Sequence, residues 1–84
     1  MPAVDPSRLA RAVHLDVTEA TPGSWTVSGG RSTHRVSKAQ DGTVCDCVDS
    51  QVHPELVCKH RLAVRLSRLP PELRVGLRAI VPAG

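Results

Sequence analysis

Two short pairs of metal-binding residue types constrain this chain more than any other feature of its sequence. Cys45 and Cys47 are separated by one residue, ten residues follow, and Cys58 and His60 are again separated by one residue. The pattern C-x-C-x10-C-x-H contains all three cysteines of the chain. Structural zinc takes four ligands in a tetrahedron, drawn from thiolate sulfur and imidazole nitrogen. The pattern therefore predicts a zinc ion held by Cys45, Cys47, Cys58 and His60.

The apolar residues of the chain are few and small, so a core alone would leave the domain marginal. A domain of this size buries only roughly 60% of the surface that its unfolded chain exposes. The large apolar side chains are mainly 12 valines and 8 leucines. The chain has one tryptophan, Trp25, and no phenylalanine or tyrosine. Three cysteines cannot pair into disulfides without a remainder. We therefore expect a bound metal ion, rather than disulfides, to stabilise the fold.

The expected location is cytoplasmic. Asp5, Arg8 and Arg11 interrupt any apolar region of a signal peptide. No uninterrupted apolar run approaches the ~20 residues that a membrane-spanning helix needs, so we expect no membrane partner. A reducing compartment agrees with cysteines that bind metal rather than form disulfides.

Four protein ligands leave no open position on the ion for water, so the pattern indicates a structural site. We accordingly expect no enzyme activity and no small-molecule substrate. Asp49 and His53 lie in the ten-residue spacer and are rival ligands to His60. One alternative is that the cysteines are ordinary buried thiols. A redox pair at Cys45 and Cys47 is a second alternative, but the sequence lacks the βαβ pattern of thioredoxin-like proteins. A catalytic Cys–His dyad is a third, but no neighbouring residue would orient the histidine.

Capping and turn signals predict an α+β fold. Asp5 as N-cap and Pro6 at the first helical position predict a short helix over residues 6–14, which the turn residues 21–24 follow. Three short strands are predicted at residues 25–27, 33–39 and 43–45, joined by Gly29-Gly30 and by the hairpin signal Asp41-Gly42. The expected architecture is a zinc-stabilised domain with a short N-terminal helix, a three-stranded β meander, a helix and a short C-terminal helix.

The apolar spacing becomes helical from Cys58 onward. One stripe contains Leu62, Leu66 and Leu69, and Pro70-Pro71 ends this helix. Pro71 begins the last helix, in which the predicted buried positions are Leu73, Leu77 and Ile80.

With its paired ligands, the sequence resembles the SWIM zinc finger, whose motif is C-x-C, a variable spacer and C-x-H. The matching residues are Trp25-Thr26-Val27-Ser28, Cys45-Asp46-Cys47, and Cys58-Lys59-His60 followed by Leu62-Ala63-Val64. The chain departs from the family in having Val57 where Pro often precedes the second Cys. His34 stands where an aromatic is common, which makes it a candidate core residue.

The resemblance covers roughly residues 22–69 and implies a ββα-type arrangement. It divides the chain into an N-terminal helical segment (1–21), the SWIM-type finger (22–69) and a C-terminal short helix and tail (70–84). Family members occur in chromatin remodellers, transposases, ubiquitin ligases and recombination mediators. The resemblance therefore implies a DNA- or protein-binding module without catalytic activity.

A one-sided basic helix is the candidate nucleic-acid surface. Residues 59–68 carry four cations and no carboxylate, namely Lys59, Arg61, Arg65 and Arg68. The hypothesis is contact with the phosphate backbone of duplex DNA, extended by Arg31 and Arg35 if the strands lie alongside. A merely solvated helix face is the alternative. Trp25 is interpreted as a core residue rather than a base-stacking platform.

The competing hypothesis is a protein-interaction adaptor for a recombinase, helicase or transposase-type partner. Its contact would be formed by spacer valines that are expected to be exposed, namely Val48, Val52 and Val57.

Overall fold

The computed structural model describes residues 3–29, 32–40 and 42–82 and confirms the small α+β fold. The elements in chain order are α1 (Pro6–Ala12), β1 (Asp16–Thr21), β2 (Ser24–Gly29), β3 (Ser32–Ala39), β4 (Gly42–Cys45), α2 (Val48–Val52), α3 (Lys59–Ser67) and α4 (Pro71–Ile80). The strands form one antiparallel sheet in the order β1-β2-β3-β4. Among the described residues, no helix has both the length and the apolar character needed to cross a membrane.

The sheet has one more strand than the sequence predicts. β1 precedes the three expected strands and pairs with β2 from Asp16↔Ser28 to Thr21↔Ser24. Residues 22–23, expected only to end the N-terminal region, are the tight turn of this hairpin. Gly23 has a φ of +83°, a conformation that glycine adopts without the strain of a Cβ. The sheet thus joins residues on both sides of the proposed boundary at 21–22.

The remaining predicted turns are placed differently. β3 and β4 pair through Ala39 and Gly42, so Gly42 lies in the strand, with a φ of +129°. Asp41, the other residue of the predicted hairpin signal, lies outside the described residues. Gly29 is the last residue of β2, and its predicted turn partner Gly30 likewise lies outside them.

The core lies between the sheet and the helices α1 and α3. α3 contacts all four strands as well as α1. Trp25 is 7% exposed and belongs to the core cluster, which confirms its interpretation as a core residue. The other members of the cluster are Ala12, Val27, Val36, Val57, Leu62, Ala63 and Val64.

α4 is present, but its predicted burial is wrong. Leu73 and Ile80 are 53% and 77% exposed, and only Leu77 of the three predicted positions is half-buried. Polar contacts take the place of burial in holding this helix. The guanidinium of Arg78 donates to the carbonyl oxygens of Val13 at 3.0 Å and Leu15 at 2.9 Å.

Candidate metal centre

The four predicted ligands lie where the sheet ends and α3 begins. Cys45 is the last residue of β4, and Cys47 is the N-cap of α2. Cys58 is the N-cap of α3, and His60 is the second residue of that helix. The spacer between Cys47 and Cys58 contains α2 and runs from the end of the sheet to the start of α3. The sequence pairs thus become neighbours in space.

The ligand atoms of these residues converge. One atom each from Cys45, Cys47, Cys58 and His60 falls in a group whose members all lie within 4.8 Å of one another. A zinc ion about 2.3 Å from each sulfur would place tetrahedral sulfur atoms about 3.7 Å apart, so the cluster has the right size. His60 is only 6% exposed, and its Nδ1 has no hydrogen-bond partner among the described residues. The cluster is therefore positioned to bind a metal ion.

The thiols of the cluster are electrostatically coupled. A hydrogen bond from the Cys45 thiol to Cys58 lowers the pKa of Cys58 to about 3, and the same contact raises the pKa of Cys45. The pair thus shares a proton that must leave before both sulfurs can bind a cation. Metal affinity should consequently fall as the pH falls.

Both rival ligands lie outside the cluster. Asp49 accepts two hydrogen bonds from the guanidinium of Arg8, at 2.7 Å and 2.8 Å. His53 faces Glu55, with 3.2 Å between its Nδ1 and Oε1 of that residue. The spacer therefore supplies supporting contacts instead of a fourth ligand.

His34 lies beside the cluster. Its ring centroid is 4.4 Å from that of His60, and its Nδ1 is 3.0 Å from Oδ1 of Asp46. This contact holds the pKa of Asp46 below its usual value. His34 is only half-buried and is absent from the core cluster, so it contacts His60 of the candidate metal centre instead of filling the core. The sequence contained no signal for this contact, because it depends on the register between β3 and the chain after β4.

The predicted basic residues occupy two different parts of the surface. Arg65 and Arg68 are exposed, and Arg61 is half-buried with its Nε donating to Oγ1 of Thr43 at 3.2 Å. Positions 61, 65 and 68 share one face of α3 by helical spacing. Lys59 instead lines a groove with Arg11 from α1 and with metal-cluster residues. Helical spacing thus puts Arg61, Arg65 and the C-cap Arg68 on one side of α3, and Lys59 lies apart from them.

Two cations outside α3 bear on this surface. Arg35 alternates with the buried Val36 in β3 and therefore lies on the opposite face of the sheet from the helices. It does not extend the basic face, while Arg31 lies outside the described residues. Arg74, at the start of α4, lines a groove with Arg68 and Trp25. The sequence contained no signal for this position of Arg74, because it depends on how α4 is placed after Pro70-Pro71.

The fold and the site together define a small α+β domain with a Cys3His cluster positioned to bind a metal ion. Comparisons with family models, curated proteins and solved structures found no match to this chain. The SWIM resemblance accordingly stays a prediction that rests on the residues of the motif.

Replacing the histidine ligand should weaken metal binding. We expect His60→Ala to lower the affinity sharply, because three thiolates would remain without their imidazole partner. His53→Ala is the matched control and should bind like the parent. Metal analysis after gel filtration and titration with cobalt as a spectroscopic probe would measure both variants. Loss of the metal in His53→Ala with retention in His60→Ala would reassign the fourth ligand.

Proposed function

We propose that this protein is a zinc-binding module with a non-catalytic role, which contacts the phosphate backbone of duplex DNA through the basic face of α3. This face is defined by Arg61, Arg65 and Arg68. The observation that carries the proposal is that the exposed Arg65 and Arg68 and the half-buried Arg61 follow one side of α3 and its C-cap, and that this helix begins at the metal cluster.

The donor set supports zinc as the metal. Three sulfurs and one imidazole are the soft and borderline ligands that zinc takes in closed structural sites. Cys47, Cys58 and His60 are buried and Cys45 is half-buried, which suits an ion that stabilises the fold. When bound, zinc would supply a tetrahedral cross-link between the sheet and α3. The chain's own residues then present the basic face.

The surroundings of the arginines support contact with phosphate. Within the described part of the chain, no carboxylate oxygen lies within 4 Å of the guanidinium groups of Arg61, Arg65 or Arg68. The Cζ of Arg68 lies 5.4 Å from the ring centroid of Trp25, and Trp25 is only 7% exposed. A covered ring is a poor platform for unstacked bases, so the duplex backbone is the better partner.

Binding to labelled duplex DNA across a salt series would test this function. If three arginines each contact a phosphate, the logarithm of the affinity should fall with the logarithm of salt at a slope near −2.7. Arg65→Ala should weaken binding to all sequences alike and flatten the slope by about one unit. We expect the zinc-loaded protein to bind and the chelated protein to lose binding, because α3 would lose its anchorage.

Two further variants sharpen the test. Arg35→Ala removes a cation from the opposite face of the sheet and should leave the slope unchanged. Lys59→Ala tests whether the lysine in the neighbouring groove also contacts a phosphate, in which case the salt slope flattens. The nucleic-acid function would be wrong if the parent does not bind at low salt, or if an Arg61/Arg65/Arg68 triple alanine variant binds as well as the parent.

A protein-interaction adaptor is the second candidate function. Val48 and Val52, one turn apart on α2, are 72% and 61% exposed. Val57, the third predicted contact, is 1% exposed and belongs to the core, so its predicted exposure is wrong. The reason is its position directly before a metal ligand, where its N–H donates to the carbonyl of Ala3 at 3.0 Å. Exposed apolar side chains on one face favour a protein partner.

A further inference from the structure

The N-terminal segment contacts the spacer of the metal cluster at two points. The N–H of Ala3 donates to the carbonyl of Glu55 at 2.8 Å, and the carbonyl of Ala3 accepts from Val57 at 3.0 Å. Five residues further along, the guanidinium of Arg8 donates two hydrogen bonds to the carboxylate of Asp49, from Nε to Oδ2 at 2.8 Å and from Nη2 to Oδ1 at 2.7 Å. The spacer is therefore fixed near both of its ends.

The Arg8 contact falls on an element that needs outside support. α2 has five residues, far fewer than an isolated helix requires in water. None of its residues is buried, so burial of an apolar face does not hold it. Its first turn contains Asp49, and a two-pronged arginine–carboxylate contact fixes orientation as well as distance. Arg8 is thus a tertiary contact that holds α2 in position.

The position of α2 in turn sets the surroundings of a metal ligand. The sulfur of Cys47 accepts a hydrogen bond from the N–H of Ser50 at 3.4 Å, and the Ser50 hydroxyl lies 3.5 Å from the same sulfur. An N–H donor of this kind stabilises a thiolate and holds it in the orientation that the ion requires. Movement of α2 would remove both contacts from Cys47.

Arg8 also neutralises a charge beside the cluster. Asp49 lines one groove with Cys47 and His60. The guanidinium of Arg8 is the cation that pairs with this carboxyl, with 2.7 Å between Nη2 and Oδ1. Three thiolates, one imidazole and a divalent cation sum to a negative centre, next to which an uncompensated carboxylate is unfavourable.

We propose that Arg8 is a positioning residue of the metal centre, which slows metal release by fixing α2, and with it Ser50, against the sulfur of Cys47. This inference rests on the proposed zinc-binding function. It gives the N-terminal segment a role in metal retention that the C-x-C and C-x-H pairs alone would not predict.

Metal transfer from the zinc-loaded full chain to excess chromogenic chelator would test the proposal. Arg8→Ala should release zinc about tenfold faster than the parent, since loss of contacts around metal ligands costs 10–100-fold in affinity. Arg8→Lys keeps the charge without the two-pronged contact and should fall between them, and it serves as the test variant if the alanine variant does not fold. Adding Asp49→Asn to Arg8→Ala should recover part of the loss, because the uncompensated carboxylate is then removed.

Arg78→Ala is the matched control for a purely structural role. Arg78 also joins α1 to another element through its guanidinium, but it does so at α4, away from the cluster. Its loss should leave the release rate unchanged. Equal release rates for Arg8→Ala and the parent, or equal acceleration by Arg78→Ala, would overturn the positioning role. A parent that binds no stoichiometric zinc would instead overturn the proposed function, so the two failures are distinguishable.

Discussion

Removal of the metal ion should unfold this protein. Structural zinc contributes apparent free energies of about 10–16 kcal/mol in finger peptides, whereas a core of this size leaves only about 3–5 kcal/mol of net stability. Without the ion, the buried Nδ1 of His60 has no partner among the described residues to compensate its burial. The expected result of chelation is loss of the near-UV circular dichroism of Trp25 and collapse of amide dispersion in the NMR spectrum.

Acid should have the same effect as the chelator. Ligands bind zinc as thiolates and neutral imidazole, so protons compete with the ion and stability should fall as the pH falls. Readdition of zinc at neutral pH should restore the spectrum. Cys47→Ser should resemble the chelated parent at all pH values. A chelated parent that keeps a dispersed amide spectrum would show that the core suffices without the metal.

Truncation of Trp25 should be the most costly single change within the core. Trp25→Ala should lower the free energy of unfolding of the zinc-loaded protein by about 3–5 kcal/mol, since a large side chain leaves a cavity that its neighbours only partly fill. The ring is 7% exposed, and its strand pairs it with the fully buried Val36. Its loss also removes the surface on which Arg68 stacks. Urea unfolding followed by far-UV circular dichroism at fixed free zinc would measure the change.

Leu73→Ala is the control for this prediction. Leu73 is 53% exposed on α4, so its truncation should cost less than about 0.5 kcal/mol. A cost below about 1 kcal/mol for Trp25→Ala would contradict the central place of the ring in the core. Reduced DNA binding by Trp25→Ala at unchanged stability would indicate that the ring mainly orders Arg68.

The sequence was most informative where residue chemistry is specific. Cysteine and histidine at fixed spacing predicted the four residues that converge, because few other roles require those types in that order. The strands β2, β3 and β4 and the helix α3 were likewise predictable from alternation, turn residues and apolar spacing. These signals are local, and the contacts that they imply lie between neighbouring segments.

What the sequence did not reveal depends on contacts between distant segments. β1 contains a single large apolar residue, Val17, so its strand character depends on pairing with β2. α2 is too short for a periodic signal, and its contact with Arg8 spans 41 positions. The apolar spacing in α4 predicted a buried face. In the structure, the side chain of Arg78 instead donates hydrogen bonds to the carbonyl groups of Val13 and Leu15, between α1 and β1. Local patterns cannot specify such partners.

The order of the strands has a consequence for biosynthesis. All strand pairings join neighbours in the chain, so each hairpin can form as soon as its second strand leaves the ribosome. α1 emerges first, but its main partner α3 follows only after five further elements. Ala12, a residue of the core cluster, therefore lacks its α3 partner until most of the chain has been synthesised. His60, the last residue of the cluster, is synthesised with α3 itself, so the metal cluster and the core are both completed late in the chain.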